Sequence, residues 1–135
     1  MRVLPDTDVC LDFILEREPF FAGAAEIFAR LADHRFDAHV SAVTPINVYY
    51  FTRKAKGIAN ARQAVQDLLL AVNICSLDAV ILRNSHSSPI ADYEDAVQHE
   101  CARAENLDAI ITRNAKDYEN ALITVYSSRD FSKQI

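Results

Sequence analysis

Aspartates follow a short apolar run at the very start of the chain, in "MRVLPDTDVCLD", where Asp6, Asp8 and Asp12 stand. A carboxylate at the tip of a strand is either a helix cap or part of a site. Three later stretches repeat the pattern of an apolar segment ending in small polar or acidic residues. "HVSAVTPIN" carries Ser41 and Asn47, "DYEDA" carries Asp92, Glu94 and Asp95, and "TRNAKDY" carries Thr112, Asn114 and Asp117. Carboxylates gathered in one place repel one another. Two unit charges about 4 Å apart cost about 4 kcal/mol at an effective dielectric near 20. One of them must then hold a proton, or a cation must hold them together. An all-oxygen set suits a hard ion, Mg²⁺ or Mn²⁺. Zinc is disfavoured, because His34, His39, His86 and His99 lie in separate segments and "HE" at His99–Glu100 lacks a second histidine.

That chemistry requires elements that bring the four stretches together. Arg2–Pro5 reads as a short strand, and Leu11, Ile14 and Leu15 after it follow helical spacing until Pro19 interrupts. A second helix runs from Phe20 to His34. "FDAHVSA" reads as a strand ending at Ser41. Thr44 before Pro45 reads as a helix cap followed by proline in the first turn. Gly57 separates that helix from one containing Val65, Leu68 and Leu69. "NICSL" is a strand candidate, with a helix from Asp78, and Ser85 to Pro89 reads as a loop. "DYEDAVQHECARAENL" is an amphipathic helix, "DAIIT" a buried strand and "ITVYS" a last short one. Short strands alternating with helices imply an α/β fold with parallel pairing and helices on both faces. In such sheets ligands bind beyond the carboxyl ends of the strands. The polar residues named above all follow predicted strands or open helices at that end.

Composition narrows the alternatives. The chain has 135 residues, half of them apolar, and no internal repeat or linker, which predicts a single domain over residues 1–135. A net charge of −5 argues against wrapping nucleic acid with the whole surface but leaves room for a nuclease whose acids hold metal. Gly23 and Gly57 are the only glycines, so a phosphate-cradling glycine loop is excluded. No apolar run is long enough to span a bilayer, and no export signal is read at the N-terminus. Cys10, Cys75 and Cys101 are scattered in apolar patterns and read as reduced core residues of a cytoplasmic protein.

Three blocks together, "PDTDVCLDFILEREPF", "HVSAVTPINVYYFTRKAKG" and "DYEDAVQHECARAENLDAIITRNAKDY", resemble the PIN-domain family over nearly the whole chain. The resemblance implies a three-layer α/β/α sandwich around a parallel sheet and a Mg²⁺- or Mn²⁺-dependent endoribonuclease. Many members are the toxin of a bacterial toxin–antitoxin pair, so it also implies an antitoxin partner and a homodimer. By the same resemblance Asp6, Asp95 and Asp117 hold the metal, Thr112 helps organise its water, and Asn47 and Asn114 position water or phosphate. Arg53, from the basic cluster Arg53, Lys54, Lys56 and Arg62, and Arg113 are the candidate contacts to the RNA backbone. The chain departs from the family pattern at Asn47, where many members carry glutamate, and at Asn114, where many carry aspartate.

Local readings stand beside these. Asp6 and Asp92 are also good helix caps, with Asp95 three residues after Asp92. Asp8 and Asp12 read as solvent-facing or capping. Tyr49, Tyr50 and Phe51 read as core or dimer packing rather than base-stacking residues. Two other functions remain open: a PIN-like module that binds RNA or protein without cleaving, and a phosphatase of the haloacid-dehalogenase type using "DTDVC".

Overall fold

Val3 and Leu4 are both fully buried, yet they belong to different cores. Val3 packs with Val9, Ile27, Val40 and Phe131, and Leu4 with Val97, Cys101 and Ile110. Ile110 and Ile111 divide in the same way. Successive strand residues point to opposite faces, so a strand apolar at consecutive positions is covered on both sides. The result is a three-layer α/β/α sandwich.

The computed structural model describes residues 1–135. In chain order the elements are β1 (Arg2–Pro5), α1 (Thr7–Ile14), α2 (Phe21–Ala32), β2 (Asp37–Ser41), α3 (Val43–Lys56), α4 (Ile58–Ala71) and β3 (Asn73–Cys75). They continue with α5 (Ala79–His86), α6 (Tyr93–Ala104), β4 (Ala109–Ile111), a 3₁₀ turn (Ala115–Tyr118), β5 (Thr124–Tyr126) and α7 (Ser128–Ser132). All strands pair in parallel in the order β3-β2-β1-β4-β5. The chain moves outward from β1 through β2 to β3, then returns to place β4 on the other flank of β1. The crevice between β1 and β4 is therefore the topological switch point, where open α/β sheets bind ligands. No helix is long and apolar enough to cross a membrane. Cys10, Cys75 and Cys101 are buried and free, in keeping with their apolar surroundings in the sequence.

Several element boundaries differ from the sequence reading. Thr44 does not cap its helix. Helix α3 starts at Val43, whose N–H donates to Ser41 Oγ at 3.1 Å, and Thr44 is buried inside the first turn. Proline tolerates any first-turn position, because those N–H groups have no helical partner. A Thr-Pro pair therefore does not fix the first residue. Helix α1 ends before Pro19 has any effect: Glu16 turns left-handed at φ 52° and Arg17 N–H closes on the Asp12 carbonyl at 3.0 Å. Ser85 is not loop; α5 runs to His86 and Ser85 Oγ donates to the Ile81 carbonyl at 2.7 Å, a back-bond that keeps serine inside a helix. The 3₁₀ turn and α7 carry no periodicity long enough to be legible in the sequence.

Candidate functional site

Asp6 is the first residue beyond β1. Its Oδ1 accepts the Val9 N–H at 3.0 Å, so it does cap α1. The cap reading and the site reading are compatible, because the second oxygen stays free of that bond. β1 and β4 pair with Pro5 opposite Ile111, which seats Asp6 beside Thr112, and the Asp6 N–H donates to the Ile111 carbonyl at 2.9 Å. Only 4% of Asp6 is exposed. Burial pushes its carboxyl up to about 7, the nearby Thr112 hydroxyl and the Val9 N–H offset part of this, and the charges of Asp8 and Asp12 add to it. Thr112 is itself buried, and its Oγ1 accepts the Asn114 N–H at 3.1 Å, which fixes the start of the loop that carries Asn114 and Asp117.

Helix α6 enters the same mouth from the opposite flank. Asp92 caps it, accepting the Asp95 N–H at 3.0 Å. Asp95 is partly buried, and its carboxyl is raised to about 7, first by burial and then by the charges of Asp92, Asp6, Asp117 and Glu94. Those partners come from the tip of β1, from α6 and from the 3₁₀ turn, so the structure brings Asp6, Asp95 and Asp117 to one mouth. Asp117 is the exposed member, with its N–H on the Asn114 carbonyl at 3.1 Å. Asn47, one turn into α3, donates from Nδ2 to Glu94 Oε1 at 2.8 Å. Burial raises the Glu94 carboxyl, the Asp92 and Asp8 charges add to that, and the Asn47 amide lowers it.

A buried polar knot fixes the helix ends that carry these acids. The Thr7 N–H donates to Gln98 Oε1 at 3.0 Å, and the Thr7 and Thr44 hydroxyls share a hydrogen bond of 3.0 Å. The starts of α1 and α3 are thereby tied to the turn of α6 that follows Asp95. The sequence reading did not single out Gln98 or Thr7. Their signal, a threonine opening one helix and a glutamine in the middle of another, is too common to stand out.

Asp12 corrects the expectation of a solvent-facing or capping residue. It is only 1% exposed and pairs with Arg113 Nε at 3.2 Å. Asp8 Oδ1 lies 3.8 Å from Arg113 and 3.7 Å from Arg17, and the Arg113 guanidinium stacks 4.0 Å from the Phe20 ring. Arg113 is thus engaged by α1 and by the residue preceding α2. Arg53 stands apart, exposed in the last turn of α3; six residues on from Asn47 at 1.5 Å each is about 9 Å farther from the mouth. Tyr50 and Phe51 do not join the core: they are 56% and 40% exposed, edge-to-face at 5.5 Å.

The donor set fits a hard divalent cation. It is all oxygen, and the two carboxyls held near 7 can exchange a proton for a cation close to neutral pH. No three acidic, histidine or cysteine side chains stand close enough together to hold a metal ion.

Fold and site together define an α/β/α domain with an acidic, oxygen-lined mouth at the switch point of a parallel sheet. Residues 2–116 match the family model of the PIN domain, and the chain belongs to the PIN-domain family. No curated protein is matched in sequence. Solved structures with the same fold include VapBC2 from Rickettsia felis bound to a DNA fragment from its promoter, at TM-score 0.70 and 16% identity over 94% of this chain and 98% of that one. A toxin–antitoxin complex from Klebsiella pneumoniae aligns at TM-score 0.67 and 21% identity over 93% and 97% of the two chains. VapC20 from Mycobacterium tuberculosis, a toxin that cleaves the sarcin-ricin loop, aligns at TM-score 0.71 and 11% identity over 90% and 96%.

Proposed function

We propose that this protein is a Mg²⁺- or Mn²⁺-dependent endoribonuclease, the toxin of a toxin–antitoxin pair. The observation that carries the reading is the approach of Asp6 and Asp95, from β1 and α6, at one mouth with both carboxyls raised to about 7. Asp6, Asp95 and Asp117 would hold the cation. When bound, it would make a water nucleophilic near neutral pH and offset charge on the phosphate. Thr112 holds the loop of Asn114 and Asp117 in place through its bond to Asn114 N–H. Asn47 and Asn114 offer neutral hydrogen bonds to water or to phosphate. Arg53 and Arg113 would contact the RNA backbone, Arg113 while still paired with Asp12. No nucleophilic serine or cysteine is required, so the hydrolysis is a direct attack by water.

The partner proposals rest on surfaces. An apolar groove of about 880 Å³ is lined by Phe13, Phe21, Phe28, Leu31 and Leu68, among others, and would seat an apolar antitoxin segment. Ile46, Tyr50, Leu69 and Leu70 on α3 and α4 are exposed, Leu70 by 82%, and would be covered in a homodimer. The buried free cysteines suit the reducing cytoplasm. The deciding experiment incubates purified protein with mixed RNA and Mn²⁺, beside EDTA and Asp6→Asn controls. Cleavage that stops in both controls supports the reading; cleavage that survives both rejects the site.

A further inference from the structure

Two arginines converge beside the mouth on a pair of aspartates that differ sharply in burial. Arg113 directly follows Thr112, and Asp8 is two residues on from Asp6, so both border the switch point where β1 and β4 meet. Arg17 arrives from the turn after α1. Arg113 Nε holds the buried Asp12 at 3.2 Å. Asp8 is held differently. Its side chain is 52% exposed, and its Oδ1 sits 3.8 Å from Arg113 Nη2 and 3.7 Å from Arg17 Nη1. Those separations exceed hydrogen-bond length, so a solvated carboxylate stands loosely between two guanidinium groups. Arg17 is no more tightly held, because Asp12 Oδ1, 3.9 Å from Arg17 Nη1, has no hydrogen-bond partner. Each guanidinium lies beside a partly exposed ring, Arg113 4.0 Å from Phe20 and Arg17 5.9 Å from Phe51, which limits where it can point.

Two arginines against Asp12 alone leave one positive charge, and Asp8 balances it. A phosphodiester carries the same single negative charge and offers two oxygens to guanidinium donors. We infer that Arg17 and Arg113 form a clamp for one backbone phosphate of single-stranded RNA, with Asp8 as the carboxylate that the phosphate displaces. The inference rests on the RNA-cleaving reading above and deepens it by placing a substrate contact at the rim of the mouth. Arg113 keeps Asp12 through Nε while its Nη2 exchanges one anion for another. The partly exposed rings beside the arginines suit unstacked bases, which favours a single strand over a duplex. Asp8 makes the clamp selective, since a weakly bound anion gains nothing by replacing a carboxylate already in place.

The test measures binding of a fluorescein-labelled, mixed-sequence RNA oligonucleotide by anisotropy in EDTA, so that neither cleavage nor a divalent cation contributes. Arg17→Ala is expected to bind about fivefold more weakly. Its plot of log Kd against log salt should flatten by about 0.7, the loss of one single-strand phosphate contact. Asp8→Asn should bind about threefold more tightly, and that gain should vanish in the Arg17→Ala background, because both residues act on one phosphate. Glu26→Gln removes a surface carboxylate paired with Arg30 and should leave affinity unchanged. Equal gains in Asp8→Asn and Glu26→Gln, or an Asp8→Asn gain that persists without Arg17, reduce the effect to net charge and overturn the clamp. Unchanged affinity in both Arg17→Ala and Asp8→Asn overturns it as well. If inorganic phosphate displaces the oligonucleotide at micromolar concentration, the clamp takes free phosphate and the RNA assignment is overturned. Absence of wild-type binding in EDTA overturns the clamp alone if RNA is still cleaved with Mn²⁺; if cleavage is also absent, the RNA reading falls with it.

Discussion

Asn47 Nδ2 donates to Glu94 Oε1 at 2.8 Å, joining the first turns of α3 and α6 across the mouth. Asn47 itself carries no charge, and Glu94 brings a carboxylate to its side from another helix. Glu94→Gln is expected to weaken Mn²⁺ binding and RNA cleavage about tenfold. Asn47→Glu sets two carboxylates against each other. It should lower the metal-free melting temperature and enlarge the rise produced by Mn²⁺, both read in one thermal-shift series.

Asp6 makes stability depend on pH in an uncommon direction. Its folded carboxyl sits near 7 against 3.8 ordinarily, so the folded state binds the proton more tightly than the unfolded chain. Stability from this group is full below about pH 4 and is lost as pH rises to about 7, at about 1.4 kcal/mol for each pH unit crossed between those two values. Metal-free wild type should lose more stability than Asp6→Asn between pH 5 and pH 8 in urea titrations. Saturating Mn²⁺ should shrink that difference, because the cation takes the proton's place.

His99 works in the opposite sense. It is fully buried, its Nε2 accepts the Leu122 N–H at 3.0 Å, and its Nδ1 lies 3.1 Å from Glu100 Oε1. The proton therefore resides on Nδ1, and burial lowers the imidazole's pKa, with Glu100 countering in part. The folded state resists a second proton that the unfolded chain accepts near 6.5, so stability present above that pH is lost below it. His99→Gln should flatten the loss between pH 7 and pH 5 relative to wild type in urea midpoints, while lowering stability at pH 7.5.

Arg113 has two jobs to separate. Asp12 is buried between Arg113 at 3.2 Å and Arg17 at 3.9 Å, so Arg113→Ala, which removes the nearer partner, is expected to destabilise by about 2 kcal/mol. Arg113→Ala in an Asp12→Asn background should cost far less. If Arg113 also contacts RNA, the salt dependence of RNA binding will flatten in both backgrounds. An unchanged melting temperature in Arg113→Ala refutes the buried pair.

Much of the frame was readable along the chain. Consecutive apolar residues at Val3–Leu4 and Ile110–Ile111 require cover on both faces of a strand. Asp6, Asp78 and Asp92 each announce a helix within three residues, where all three do accept a backbone N–H. Caps, periodicity and strand tips are local, so sequence alone settled the α/β/α class and the end of the sheet to inspect.

Pairings across the mouth are a different matter. Asn47 meets Glu94 and Asp12 meets Arg113, over separations from 47 residues to more than a hundred. Each depends on β4 returning to the flank of β1 instead of extending the sheet beyond β3. Asp12 shows the consequence. Its neighbours in sequence make it look like an ordinary exposed helical acid, and the loop after β4 supplies its nearer cation, Arg113 at 3.2 Å against Arg17 at 3.9 Å. A carboxylate's protonation and partners follow from the charges and dielectric around it in space, and that environment exists only once the sheet order is set.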